Sequence, residues 1–229
     1  PHRYGGTQLV KHVKGVVFDL DGTLLDTLET LAAAHNQALA EHGYPPQPES
    51  AYRYFIGNGA RKCAERSLPE TARDDATIDA VTASFKRIYD EAWRDGTEPY
   101  AGIPELVSRL REHGYALAVL SNKDHPFTQK IIQHFFDDGS FDAVQGHSED
   151  VPHKPSPVGL HHIAESLGLP VSALTLVGDT RVDMETAVAA GIDGVGVTWG
   201  FREADELNQA GAACLIDSPA ALCSQLGIG

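Results

Sequence analysis

The run Gly15-Val16-Val17-Phe18, followed at once by Asp19-Leu20-Asp21-Gly22-Thr23-Leu24, constrains this chain more than any other segment. Apolar residues of β-branched and aromatic type in an unbroken row read as a strand buried on both faces, the pattern of a parallel sheet covered by helices. Gly22 ends the strand by letting the backbone turn away. Asp19 and Asp21 then stand at the carboxyl end of the strand, the edge where open α/β sheets bind ligands. Residues two apart on extended backbone point the same way. One carboxylate can attack while the other handles protons. A pair of aspartates after a strand also suits a turn or a helix cap, so the rest of the chain decides between the two.

Three further polar clusters follow apolar runs. Ser121-Asn122-Lys123 comes after a strand at 116–120, Lys154 precedes Pro155, and Gly178-Asp179-Thr180-Arg181-Val182-Asp183 comes after a strand at 174–177. From residue 116 the pattern alternates: strand 116–120, helix 126–135, a short strand 141–145, helix 157–167, strand 174–178, helix 182–190, strand 193–197. Such alternation predicts right-handed βαβ units, hence an α/β fold with a Rossmann-like parallel sheet and helices on both faces. Residues 26–97 break it. Leu28, Leu31, Ala32, His35 and Leu39 stop at Gly43, and Ile78, Val81, Phe85, Ile88 and Tyr89 stop at Gly96, both at helical spacing. Tyr44-Pro45-Pro46-Gln47-Pro48 reads as a loop between such helices. The expected organisation is a core made of 9–25 and 98–229 with an all-helical cap, 26–97, entered and left by two crossings that could serve as a hinge.

Composition removes several classes of function. With 32 Asp and Glu against 18 Lys and Arg, the formal charge of −14 disfavours nucleic acid, whose backbone needs a concentrated basic surface. No apolar run reaches the roughly 20 residues of a membrane span, and the first residues lack the apolar core of a secretory signal, so a cytoplasmic enzyme with no membrane partner is expected. Pro1 to Gln8 reads as a processed tail and is set outside the fold. Cys63, Cys214 and Cys223 are odd in number and widely spaced, which points to buried thiols rather than a disulfide framework or a zinc site. The adjacent His161 and His162 fall on a predicted helix where neighbours do not share a face, and this argues against a histidine metal site. Nothing in the sequence specifies an oligomeric state.

The order of the four clusters resembles the haloacid dehalogenase superfamily, and residues 19–27 resemble its phosphatase branch. The resemblance spans about 15–200 and is supported by 55–60, 99–106 and 197–200; within the branch it is most similar to phosphoglycolate-hydrolysing members. It implies a phosphatase acting through an aspartyl-phosphate on a small phosphorylated metabolite, 2-phosphoglycolate first, with a sugar phosphate or other metabolite as the alternative. It makes Asp19 the nucleophile and maps Mg²⁺ onto Asp19, the Asp21 backbone carbonyl and Asp179. Asp183 is a further metal-site residue, holding a metal-bound water or Lys154. The chemistry agrees, because several carboxylates converging on a phosphate dianion require a cation, and an all-oxygen set suits Mg²⁺ better than Zn²⁺. Asp21 would protonate the departing alkoxide and later deprotonate the attacking water. Ser121 and Asn122 can donate hydrogen bonds to the phosphoryl oxygens, while Lys154 orders the nucleophile and offsets charge on the transferring group. Thr23 and Asp26 organise the turn and hinge, Asp183 could equally cap a helix, and Lys123 reads either as a substrate-loop residue or as an exposed one. For substrate choice the candidates are Asn58 and Arg61, in the segment Gly57-Asn58-Gly59-Ala60-Arg61-Lys62. Arg61 would pair with a substrate carboxylate. A mutase would need a cap that cycles a bisphosphate, a phosphonate hydrolase a Schiff-base lysine, and a dehalogenase would lack Asp21. A catalytically silent binding protein of the same fold is the reading from another class.

Overall fold

The computed structural model of the protein describes residues 12–228; the tail Pro1 to Gln8 lies outside the described residues. Two compact units divide the described chain, one formed by Leu25–Glu98 and the other by the remainder. In chain order the elements are β1 (Gly15–Phe18), β2 (Leu25–Asp26), α1 (Leu28–Glu41), α2 (Glu49–Phe55), α3 (Ala60–Ser67), α4 (Asp75–Ala92), β3 (Glu98–Pro99), α5 (Ile103–Glu112), β4 (Ala116–Asp124), α6 (His125–Phe135), β5 (Ala143–His147), α7 (Val158–Leu167), β6 (Leu174–Gly178), α8 (Arg181–Ala190), β7 (Gly194–Val197), α9 (Ala204–Gln209), β8 (Cys214–Ile216) and α10 (Pro219–Gln225).

In the larger unit six strands form a parallel sheet in the order β5-β4-β1-β6-β7-β8. β1 is central and buried along its whole length. This is why its sequence carries no polar alternation. Val17, Ala118 and Leu176 from adjacent strands pack with Leu160 and Ile163 of α7 and Ala187 of α8, while α5 lies against β4 and α10. Register places the site. Phe18 is opposite Val119 of β4 and Val177 of β6, so the residues that follow all three strands emerge at one level on one edge.

The structure differs from the sequence expectation in three places. β4 does not stop at Leu120 but runs to Asp124, carrying Ser121, Asn122 and Lys123 within the strand; a register irregularity between Leu120 and Asp124 lets it continue beside β5 as far as His147. β5 lies at 143–147, two residues later than its apolar content suggests. Residues beyond 197 add α9, β8 and α10, whose short runs give little periodicity.

The smaller unit is helical. The positions expected to be apolar in α1 and α4 are buried, and the two helices pack together with the His35 ring stacked on Phe85 at 3.7 Å. Asp74 caps α4 by accepting from the Thr77 N–H at 3.0 Å. β2 and β3 pair with each other where the chain enters and leaves this unit. Cys63, Cys214 and Cys223 are all buried free thiols. Among the described residues no helix is long and apolar enough to cross a membrane.

Candidate active site

Asp19 follows β1 and is almost wholly buried. Its carboxylate accepts a 2.8 Å hydrogen bond from Lys154 Nζ, which also donates to Asp183 Oδ1 at 2.6 Å and to the Leu120 carbonyl at 3.0 Å. The ammonium has three hydrogens and all are directed. Burial alone would push the Lys154 pKa down, but the charges of Asp183 and Asp19 outweigh it and hold the ammonium above its ordinary value.

The backbone of Lys154 is held as firmly as its head. Asn122 Oδ1 accepts from the Lys154 N–H at 2.6 Å, and Asn122 Nδ2 donates to the Lys154 carbonyl at 3.2 Å. The sequence reading gave Asn122 to the phosphate, whereas its amide here is engaged with the lysine. The Lys154–Pro155 peptide is cis. Ser121, nearly buried, accepts from the Lys123 N–H at 3.1 Å.

Asp179, after β6, is fully buried and gripped from two sides. Thr23 Oγ1 donates to its Oδ1 at 3.0 Å, and the Phe201 N–H donates to its Oδ2 at 2.7 Å. Trp199 Nε1 donates to the Thr23 carbonyl at 3.1 Å, tying the loop after β7 to the loop after β1. Gly22 sits at φ +84, and a Cβ there would come within 2.2 Å of Asp179 Oδ2, so only glycine fits this turn. Burial first, and then the Asp183 charge, push the Asp179 pKa up to about 7, against the Phe201 N–H, Thr23 and Arg202. Asp19 is likewise raised well above the ordinary carboxylate range, by burial, then by Asp183 and Asp179 against Lys154.

Asp183, in the first turn of α8, contacts both Lys154 and the helix start. Its Oδ2 accepts from the Thr180 N–H at 3.1 Å and from Thr180 Oγ1 at 2.8 Å, capping the helix, while Oδ1 takes Lys154. Asp19, Asp179 and Asp183 each offer an oxygen within 4.8 Å of the others. A buried, all-carboxylate cluster with two members pushed toward protonation is a set of donors that fits a hard divalent cation.

Asp21 stands apart from this cluster. Its Oδ2 pairs with Lys123 Nζ at 3.2 Å, and its Oδ1 is buried with no hydrogen-bond partner among the described residues. Lys123 is therefore not the exposed residue that one sequence reading allowed: its side chain is only 12% accessible. Arg61 and Asn58 belong to the helical unit. Asn58 lies between α2 and α3, and Arg61 donates to Asp75 at 2.5 Å and to Asp79 at 2.8 Å from a half-exposed side chain. Sequence reasoning gave Thr23 to the turn but missed its bond to Asp179, and it missed the parts played by Thr180 and the 199–202 loop. The Trp199-Gly200 pair was visible only as a supporting segment of the resemblance.

The chain matches the family model described as haloacid dehalogenase-like hydrolase over residues 16–197. A phosphoglycolate phosphatase of Pectobacterium atrosepticum is 35% identical over 205 residues, covering 86% of each chain. One of Yersinia pestis is 30% identical over 220 residues, covering 95% of each. A crystal structure described as a predicted phosphoglycolate phosphatase from Haemophilus somnus superposes with a TM-score of 0.86 at 28% identity, covering 93% of this chain and 98% of that one. The same strand-end carboxylates that single out one edge of the sheet lie within the matched segment, and the chain belongs to the haloacid dehalogenase-like hydrolase family, on its phosphatase branch.

Proposed function

We propose that the protein hydrolyses a small phosphate monoester, 2-phosphoglycolate first, through an aspartyl-phosphate formed on Asp19. The observation that carries this reading is the buried triad of Asp19, Asp179 and Asp183 at the carboxyl edge of the sheet, with Lys154 bridging Asp19 and Asp183. The relatives' names support the substrate.

In this mechanism Asp19 attacks phosphorus and the ester oxygen departs, divided from the later hydrolysis of the acyl-phosphate by a covalent intermediate. Asp21 supplies the proton to the departing oxygen and then removes one from the water that attacks the acyl-phosphate. Lys154 keeps the Asp19 carboxylate aimed and balances charge on the transferring group, with Ser121 donating to a phosphoryl oxygen. Mg²⁺, when bound, neutralises charge shared between carboxylates and phosphate. Asp19, Asp179 and the Asp21 carbonyl would hold it. Asp183 is assigned the indirect role, because one of its oxygens accepts from the Lys154 ammonium and the other from two donors of Thr180, whereas each Asp179 oxygen accepts from a single uncharged donor.

A screen of phosphate esters ranked by kcat/KM, run in Mg²⁺ and again in EDTA, tests the reading. Phosphoglycolate should rank first and EDTA should silence turnover. Full activity in metal-free buffer would overturn the cation's role, and a better neutral ester would overturn the substrate.

A further inference from the structure

We infer that Lys123 is the residue that reads the leaving group, and that it selects phosphate esters whose carboxylate is borne by the same carbon as the ester oxygen. The inference rests on the phosphatase reading above, in which Asp21 meets that oxygen. A lysine is normally among the most exposed of side chains, yet this one is 12% accessible and its ammonium lies 3.2 Å from Asp21 Oδ2. Its ammonium also stands 5.9 Å from the centre of the Phe127 ring, on the first turns of α6. Lys123 follows Ser121 by two positions in the irregular half of β4, and its backbone N–H donates to Ser121 Oγ at 3.1 Å, which ties the two residues together. Its pairing with Asp21 directs the ammonium to the place where phosphate and leaving group meet in that reading.

The second observation is Asp21 Oδ1, buried and without a hydrogen-bond partner among the described residues. Buried carboxylate oxygens are rarely left unmatched, and one so left beside a substrate site marks where a ligand atom belongs. When the ester oxygen of phosphoglycolate takes that place, the carboxylate on the adjoining carbon falls beside Asp21, within reach of the ammonium already there. A neutral alcohol offers Lys123 nothing. Arg61, the other cation considered for this task, is already shared between Asp75 and Asp79. A compact ammonium on a flexible stem is suited to exchanging one carboxylate for another.

The test compares kcat/KM for 2-phosphoglycolate with that for 2-hydroxyethyl phosphate, which has a neutral hydroxymethyl group in place of the carboxylate, in wild type and in Lys123→Met. Wild type should prefer the carboxylate, and the ratio of the two values should fall roughly 10- to 100-fold in the variant, the range for a hydrogen bond to a charged group. Competitive inhibition by glycolate should weaken in parallel, and Lys123→Arg should recover part of the preference. If Lys123→Met does not fold, Lys123→Gln keeps a donor toward Asp21 without the charge and gives the same comparison. An unchanged ratio in the variant, whether both esters lose equally or neither does, overturns the inference while the phosphoglycolate reading stands. A wild type that does not prefer the carboxylate overturns both.

Discussion

Lys154 joins three acceptors at once, and the consequences of removing it differ from those of removing the carboxylate it aims. In Asp19→Asn the amide fills the same volume and Lys154 keeps Asp183 and the Leu120 carbonyl, so the fold should survive while kcat falls by at least about 100-fold. Retained turnover above a tenth of wild type would exclude Asp19 as nucleophile. Lys154→Met instead leaves two buried carboxylates without their cation, and about 3–5 kcal/mol of stability should be lost in urea denaturation. Asp179 gives a prediction in pH. Its folded pKa of about 7 lies above the ordinary 3.8, so between those values the fold holds a proton that the unfolded chain has released. Stability from this group is therefore present at the acid end and is lost as pH rises through 7. Metal-free wild type should lose melting temperature relative to Asp179→Asn on going from about pH 5 to about pH 8, and Mg²⁺ should stabilise wild type more at the higher pH. A difference that stays flat across that range would show that Asp179 is not held protonated.

At the scale of elements, β4 has two functions in one strand. Its first half pairs with β1 and fills the core, and its irregular second half carries the polar residues of the site. Asn122→Ala removes both bonds to the Lys154 backbone and leaves a buried N–H and carbonyl to find other partners, a loss of about 1–3 kcal/mol. kcat should drop with it, because the ammonium loses its footing; a stability loss with kcat intact would confine Asn122 to structure. The loop after β7 is constrained as closely. A Cβ on Gly200 would lie 2.3 Å from the Gly22 carbonyl oxygen and 2.3 Å from Asp179 Cβ, so Gly200→Ala should displace the Phe201 N–H from Asp179 and raise the Mg²⁺ concentration needed for half-maximal turnover. What could be read from sequence follows the same division. Asp19, Asp179 and Asp183 were legible because each stands at or just past the end of an apolar run, where topology brings strand ends together. The amide pair between Asn122 and Lys154 was not, since it joins positions 32 apart through a register shift that no local pattern encodes. β8 escaped because Cys214–Ile216 is shorter than one full alternation, and Lys123 because a lysine's stem tolerates either environment.

At the scale of the molecule, a chain of formal charge −14 places three carboxylates together in its interior, so cation binding and stability are linked. Mg²⁺ at 100 times its dissociation constant should add about 2.7 kcal/mol to the unit that holds the triad. Hydrogen exchange with and without Mg²⁺ should show the gain in protection in β1, β6 and the start of α8. An equal gain throughout α1 and α4 would mean that the two units unfold as one. The central place of β1 bears on how the chain is made. It is the first of the described strands to be synthesised, yet its neighbours in the sheet, β4 and β6, begin at residues 116 and 174. Thr23 and Asp179, which grip each other in the finished protein, are separated by 156 positions. A nascent chain that has not yet produced Leu174–Gly178 therefore carries an apolar strand with one edge open, the condition that favours misassociation. During translation β1 precedes both of its neighbours, and Asp19 and Asp21 stay unassembled with Asp179 until Leu174–Gly178 has left the ribosome.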